Sequence, residues 1–193
     1  MSDVFMDPRA EQVFSAHWSE NIDTEFLRNM QEVYQLSEAR AQNRLRAMKA
    51  RCPEWEVHMS STAFSTVPEQ VDAKDRHVAA AAIALRHAID EDIEDDEPGQ
   101  TYDVIIVTDN VKDLAKKQMA ELGVRVLRPG AFLDEAYGAE PVATTRAVLR
   151  AAKDLTKPPY TVGELLHALS EQGARKLATQ MAIELGINPT KRK

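Results

Sequence analysis

A chain of 193 residues can bury a core and carry one domain plus an appendage. With 44% hydrophobic and 28% charged residues, no run of about eighteen apolar residues and no signal-like start, it reads as a cytoplasmic globular protein with no membrane association. The net charge of −7 argues against a general nucleic-acid binder, and the single cysteine, Cys52, excludes an internal disulfide and a CxxC zinc site.

In chain order, Val4-Phe5-Met6-Asp7 is a short apolar stretch ending in an acid. Ser19 is a good N-cap, and Ile22, Phe26, Met30, Val33 and Leu36 recur at helical steps, which predicts one buried face with Glu25 beside it. Arg40, Arg44, Arg46, Lys49 and Arg51 form a basic cluster, read as a solvated helix face or as a contact to RNA or a protein partner. Trp18 and Trp55 are expected to be core aromatics. His17, His58 and His77 share no metal-ligand spacing and are read as structural or exposed. Cys52 to Gln70 is bounded by Pro and rich in Ser and Thr, hence mostly loop.

Asp72 then caps a helix that runs to about His87, with Asp75 in the first turn and with Ala79, Ala80, Ala81 and Ala84 allowing close approach to a sheet. Asp90 to Glu97 is an acidic, solvated block closed by Pro98-Gly99. Tyr102 to Val107 is a β-branched run without alternation, as a strand covered on both faces requires. A helix over Val111 to Leu122 would end at Gly123, and Val124 to Leu127 would be a last strand, stopped by Pro129-Gly130. Helices follow over Phe132 to Tyr137, Thr144 to Leu155 and Thr161 to Leu185, with a rigid break at Pro158-Pro159 and a disordered Lys191-Arg192-Lys193 tail.

Two stretches carry the chemistry. Val71-Asp72-Ala73-Lys74-Asp75-Arg76-His77-Val78-Ala79-Ala80-Ala81-Ala82 sets Asp75 at a helix start, and Val104-Ile105-Ile106-Val107-Thr108-Asp109-Asn110-Val111-Lys112-Asp113 sets Asn110 and Asp113 just past a strand's carboxyl end. That is where open α/β sheets put their ligands. The pair of motifs, together with His17-Trp18-Ser19-Glu20-Asn21-Ile22-Asp23-Thr24-Glu25, resembles the PIN-domain nucleases, in particular the VapC-like toxins of toxin–antitoxin modules, over residues 14 to 137. The resemblance implies a three-layer α/β domain with a parallel sheet over 1–137, and a C-terminal helical extension over 138–193. Family members open with a strand carrying an Asp-x-Asn type motif and a helix, for which the stretch before Trp18 is too short. The opening βα unit is therefore expected to be missing or remodelled, which would expose sheet edges. Val4 to Asp7, a homo-oligomer or a separate N-terminal fragment would fill the gap.

The resemblance further implies a site for Mg²⁺ or Mn²⁺, hard cations that prefer oxygen ligands, held by Asp75, Asp113 and Glu25, with Asn110 as a neutral member and Asp109 as a substitute. The implied function is a metal-dependent endoribonuclease, the toxin of a toxin–antitoxin pair, acting on RNA and restrained by a cognate antitoxin. The alternative is a catalytically inactive PIN scaffold serving as a binding partner or as one half of a split protein.

Overall fold

A computed structural model describes residues 14–96, 102–155 and 159–191, so Val4 to Asp7, Pro98-Gly99 and the last two residues of the basic tail lie outside the described residues. The described residues form two compact units, Ala16–Leu127 and those from Arg128 onward together with Phe14 and Ser15. The division falls at Arg128 and not after Tyr137, because the helix that contains Tyr137 packs with the helices that follow it.

In the first unit, β1 (Val104–Val107) and β2 (Val124–Leu127) pair in parallel, with Val104 opposite Val124 and Val107 opposite Leu127. Helix α4 (Arg76–Asp96) lies on this pair. Its Ala79, Ala80 and Ile83 are buried against Val104, Ile106, Val124 and Val126. The alanines allow close approach, and burial of Ile83 alone contributes roughly 2 kcal/mol by the area removed from water. Gly123, with φ +73°, makes the turn into β2 as the sequence predicts. The mixed α/β class, the parallel pair and a helical C-terminal region all agree with the expected abridged PIN-like arrangement.

Helix α1 (Glu20–Glu32) departs from expectation. It stops before Val33, which is 67% exposed, and its buried residue is the acid Asp23. Asp23 tolerates burial because Trp18 Nε1 donates to it at 2.7 Å and the Lys49 ammonium lies 2.6 Å away. Lys49 also sits 3.7 Å above the Trp55 ring, and Trp55 stacks on Trp18 at 5.3 Å. This knot fixes α1 against α2 (Glu38–Arg51). It also joins them to an isolated parallel bridge, in which the Trp18 N–H donates to the Trp55 carbonyl and the Val57 N–H to the Trp18 carbonyl.

Other differences have local causes. The stretch read as loop after Cys52 contains α3 (Ser61–Thr66), started by Ser60, whose hydroxyl accepts from the Ala63 N–H at 3.1 Å. Helix α4 outruns His87 and absorbs the start of the acidic block, helped by the Arg86–Asp90 pair one turn apart, 3.0 Å from Nε to Oδ2. The helix expected over Val111–Leu122 is two pieces, a 3₁₀ turn (Val111–Leu114) and α5 (Lys116–Glu121), separated by Ala115 in the left-handed region at φ 44°.

The second unit is a helical bundle of α6 (Pro129–Ala139), α7 (Pro141–Asp154), α8 (Val162–Glu171) and α9 (Arg175–Leu185). Its core includes Leu133, Tyr137, Val148, Leu165, Leu166, Leu169, Leu177 and Met181. Pro129 opens α6 where the sequence suggested only a stop, since proline suits the first helical position. Thr161 and Glu164 form a full capping box on α8. The expected single stretch to Leu185 breaks at Gly173, whose φ of +98° turns the chain, and Gly130 packs so close there that a Cβ would sit 2.4 Å from the Gly173 carbonyl carbon.

The N-cap position of α9 is Ala174, whose methyl group cannot accept a hydrogen bond. Asp134 of α6 does so instead, accepting from the Lys176 N–H at 3.2 Å and the Leu177 N–H at 2.8 Å. Asp134→Ala should therefore lower stability by about 1–2 kcal/mol, the usual cost of losing an acidic cap. Denaturant unfolding checks this, and an unchanged midpoint would show that the cap contributes nothing.

Candidate functional site

The Asp72 to Arg76 turn is tied at both ends. Asp72 Oδ1 accepts from the Lys74 N–H at 3.0 Å, starting the 3₁₀ turn Ala73–Asp75 that leads into α4, and the Arg76 guanidinium donates to the carbonyls of Pro68 and Val67 at 3.1 and 3.2 Å. The Asp72 N–H donates in turn to the Asp113 carbonyl at 2.9 Å, which joins this turn to the loop after β1. That loop is shaped by Thr108, whose hydroxyl accepts from the Asn110 N–H at 3.1 Å, and by the left-handed Ala115, a conformation that costs a non-glycine residue energy and that clusters at functional sites.

Across this junction Asn110 Nδ2 donates to Asp75 Oδ2 at 2.9 Å. Lys74 Nζ lies 2.9 Å from Asp113 Oδ2. Three of the four residues read from the sequence, Asp75, Asn110 and Asp113, thus share one polar cluster beyond the carboxyl end of β1. Glu25 faces the cluster from α1, near enough for its charge to act on Asp75, while its Oε2 lies 3.0 Å from His77 Nε2. Asp109 is exposed.

The two central carboxyls are held in opposite directions. Burial pushes the Asp75 carboxyl above its ordinary range; the charges of Asp113, Asp72 and Glu25 push the same way, and Lys74 opposes them. The Asp113 carboxyl is held below that range, first by the hydrogen bond from Lys74 and then by one from Asn110. Such divergence between neighbouring carboxyls is a signature of functional sites. The donors are the oxygen ligands a hard divalent cation prefers, and the charge crowded on Asp75 would be relieved by one. Even so, among the described residues no group of three or more His, Cys, Asp or Glu side chains is assembled closely enough to hold a metal. The Lys74 ammonium already engages Asp113 Oδ2, where a cation would bind.

Lys74 and His77 are the contacts of these acids that the sequence reading did not anticipate. Lys74 had a weak signal in its adjacency to Asp75. His77 had none, because its partner lies on another helix.

Residues 129–182 match the family model described as VapC50 C-terminal domain. The match begins where the helical unit begins and covers α6 to α8 and most of α9, which links that part of the chain to the VapC family; it does not extend to the residues of the polar cluster. No curated protein matches the chain, and no solved structure does.

The raised Asp75 carboxyl gives a stability test. A group whose folded value lies above its unfolded one contributes stability that is fully present below the unfolded value and lost as pH rises through the folded value. Ionised Asp75 therefore weighs against folding at neutral pH, and Asp75→Asn, which keeps an acceptor for Asn110, should raise the melting temperature at pH 7. The gain should vanish in acid below the usual aspartate range. A lower melting temperature for the variant at pH 7 would contradict this placement of charge.

Proposed function

We propose that the chain is a metal-dependent endoribonuclease of PIN/VapC type, the toxin of a toxin–antitoxin pair, with RNA as substrate and an antitoxin protein as partner. The observation that carries this reading is the convergence of Asp75, Asn110 and Asp113 beyond the carboxyl end of β1, with Glu25 facing them. The family match in the helical unit supports it from outside that cluster.

Asp75 and Asp113 would be the principal holders of Mg²⁺ or Mn²⁺, with Glu25 as the third. Such an ion, when bound, supplies a Lewis-acidic centre for activating water and offsetting phosphate charge. The protein's own groups prepare this chemistry. Asn110 orients Asp75 through its carboxamide, so the carboxylate does not rotate freely. The hydrogen bonds from Lys74 and Asn110 hold the Asp113 carboxyl below the ordinary carboxylate range, favouring its ionised form. His77 sets the rotamer of Glu25.

One observation favours a second reading, an inactive scaffold. The Lys74–Asp113 ion pair neutralises one of the carboxylates, and no ligand group is assembled among the described residues. The two readings separate in one assay, cleavage of a structured RNA by the purified full chain across a Mn²⁺ titration. With about three carboxylates, metal affinity should be modest and cleavage should need high metal, since ligand charge tunes affinity for hard cations. Asp75→Asn should reduce cleavage by at least about 100-fold, more than the usual loss of an outer-shell partner. Cleavage that persists in this variant would refute the assigned site, and none at any metal concentration would favour the scaffold.

A further inference from the structure

The ion pair of Lys74 with Asp113 stands where the two loops of the site meet. Lys74 belongs to the turn Ala73–Asp75, directly before Asp75, and its own N–H is held by Asp72 Oδ1 at 3.0 Å. The Asp72 N–H in turn donates to the Asp113 carbonyl at 2.9 Å. The root of the lysine side chain is thereby fixed beside Asp113, and its ammonium reaches Asp113 Oδ2 at 2.9 Å. The stem is not held in the same way, since the Lys74 side chain is 63% exposed against 21% for that of Asp113. A lysine carries its charge on a flexible chain of rotatable bonds, and an ion pair this open to water is weak. Returning the ammonium to solvent therefore costs little.

We propose that Lys74 is a tethered competitor for the divalent cation at Asp113: its ammonium holds Oδ2 and must swing into solvent for Mg²⁺ or Mn²⁺ to bind there. The proposal rests on the metal-dependent reading above. One oxygen cannot serve both cations, because an ammonium and a dication in contact with it would repel each other. The tether makes the competition permanent, as the turn that delivers Lys74 is also the turn that delivers Asp75. It makes the competition selective as well. A monovalent ion brings Asp113 no more charge than the ammonium already there, whereas a divalent ion brings twice as much and would also relieve the charge that Asp113 exerts on Asp75. On this account the ion pair raises the metal concentration that the site needs instead of abolishing the site. A purely structural bridge between the loops predicts the opposite sign, since removing a bridge loosens the ligands and weakens metal binding.

The test is Mn²⁺ binding by the full chain without RNA, read from the electron paramagnetic resonance signal of free Mn²⁺. Lys74→Gln should bind about tenfold more tightly than wild type, the scale of removing a unit charge beside a dication in a solvated site. Lys112→Gln is the control for net charge, because Lys112 acts on Asp113 through its charge and not through a hydrogen bond. Its removal should tighten binding by no more than about twofold, as loss of a screened surface charge does. In an Asp113→Asn background, Lys74→Gln should also gain no more than about twofold, because the competition acts through Asp113. Thermal melts check that each variant is folded, and a second measurement uses the native chain: the NMR signal of the Lys74 ε-methylene should move to that of a solvated lysine on addition of Mg²⁺. Equal or weaker Mn²⁺ binding in Lys74→Gln, an equal gain in Lys112→Gln, the full gain persisting in Asp113→Asn, or an unmoved Lys74 signal at saturating Mg²⁺ would each overturn the proposal and leave the nuclease reading standing. Mn²⁺ binding by none of the proteins would overturn both. A tighter site in Lys74→Gln without RNA cleavage at any metal concentration would uphold the competition and fail the nuclease reading.

Discussion

One backbone hydrogen bond, from the Asp72 N–H to the Asp113 carbonyl, holds together the two loops on which the candidate chemistry depends. Without it the turn before α4 and the loop after β1 would be joined only through side chains, and each would bear more of its own ordering entropy. With it, the side chains that follow fall into reach of one another, Asp75 of Asn110 and Lys74 of Asp113. The parallel pairing of β1 with β2 fixes one loop's origin, and the packing of Ala79, Ala80 and Ile83 on that pair fixes the other. The cluster is thus placed by rigid elements and only finished by loops.

Gathering carboxylates there works against folding, and the surrounding groups limit the cost unevenly. Asp113 is favoured in its ionised form by hydrogen bonds from Lys74 and Asn110, whereas Asp75 is pushed the other way by burial and by the charges of three other acids, with the Lys74 charge opposing them. A protein under selection for stability alone would place a neutral or basic residue at Asp75. The left-handed Ala115 a little further along is a second departure of the same kind, since glycine would sit there without strain. Two local rules are thus broken within one small region, the pattern expected where function competes with stability.

What the sequence disclosed and what it hid divide by range. The strands β1 and β2, the Gly123 turn and the convergence of Asp75, Asn110 and Asp113 were legible, because each rests on local pattern or on motif order. Three kinds of feature were not. The helix over Val111–Leu122 gave no sign of its break, since alanine is a helix former and its left-handed conformation is imposed by the loop around it. The stripe on α1 read as apolar, yet the residue it buries is Asp23, made acceptable by Trp18 and Lys49 from outside the helix. The pairs Lys74–Asp113 and Glu25–His77 join positions 39 and 52 residues apart, beyond any local periodicity.

The knot of Trp18, Asp23, Lys49 and Trp55 bears on the placement of α1, the helix that carries Glu25. A buried ion pair of this kind adds little net stability, because desolvation consumes most of the Coulombic gain, but breaking one partner leaves an uncompensated charge. Its effect is therefore on geometry: it permits one angle and one register of α1 against α2, and penalises the alternatives. Glu25 lies on α1 just beyond Asp23, and Lys49 lies in the last turn of α2. A single buried carboxylate, bonded to Trp18 on one side and Lys49 on the other, thus ties the helix that carries Glu25 to its neighbour, a geometric constraint that an apolar residue at that position would not supply.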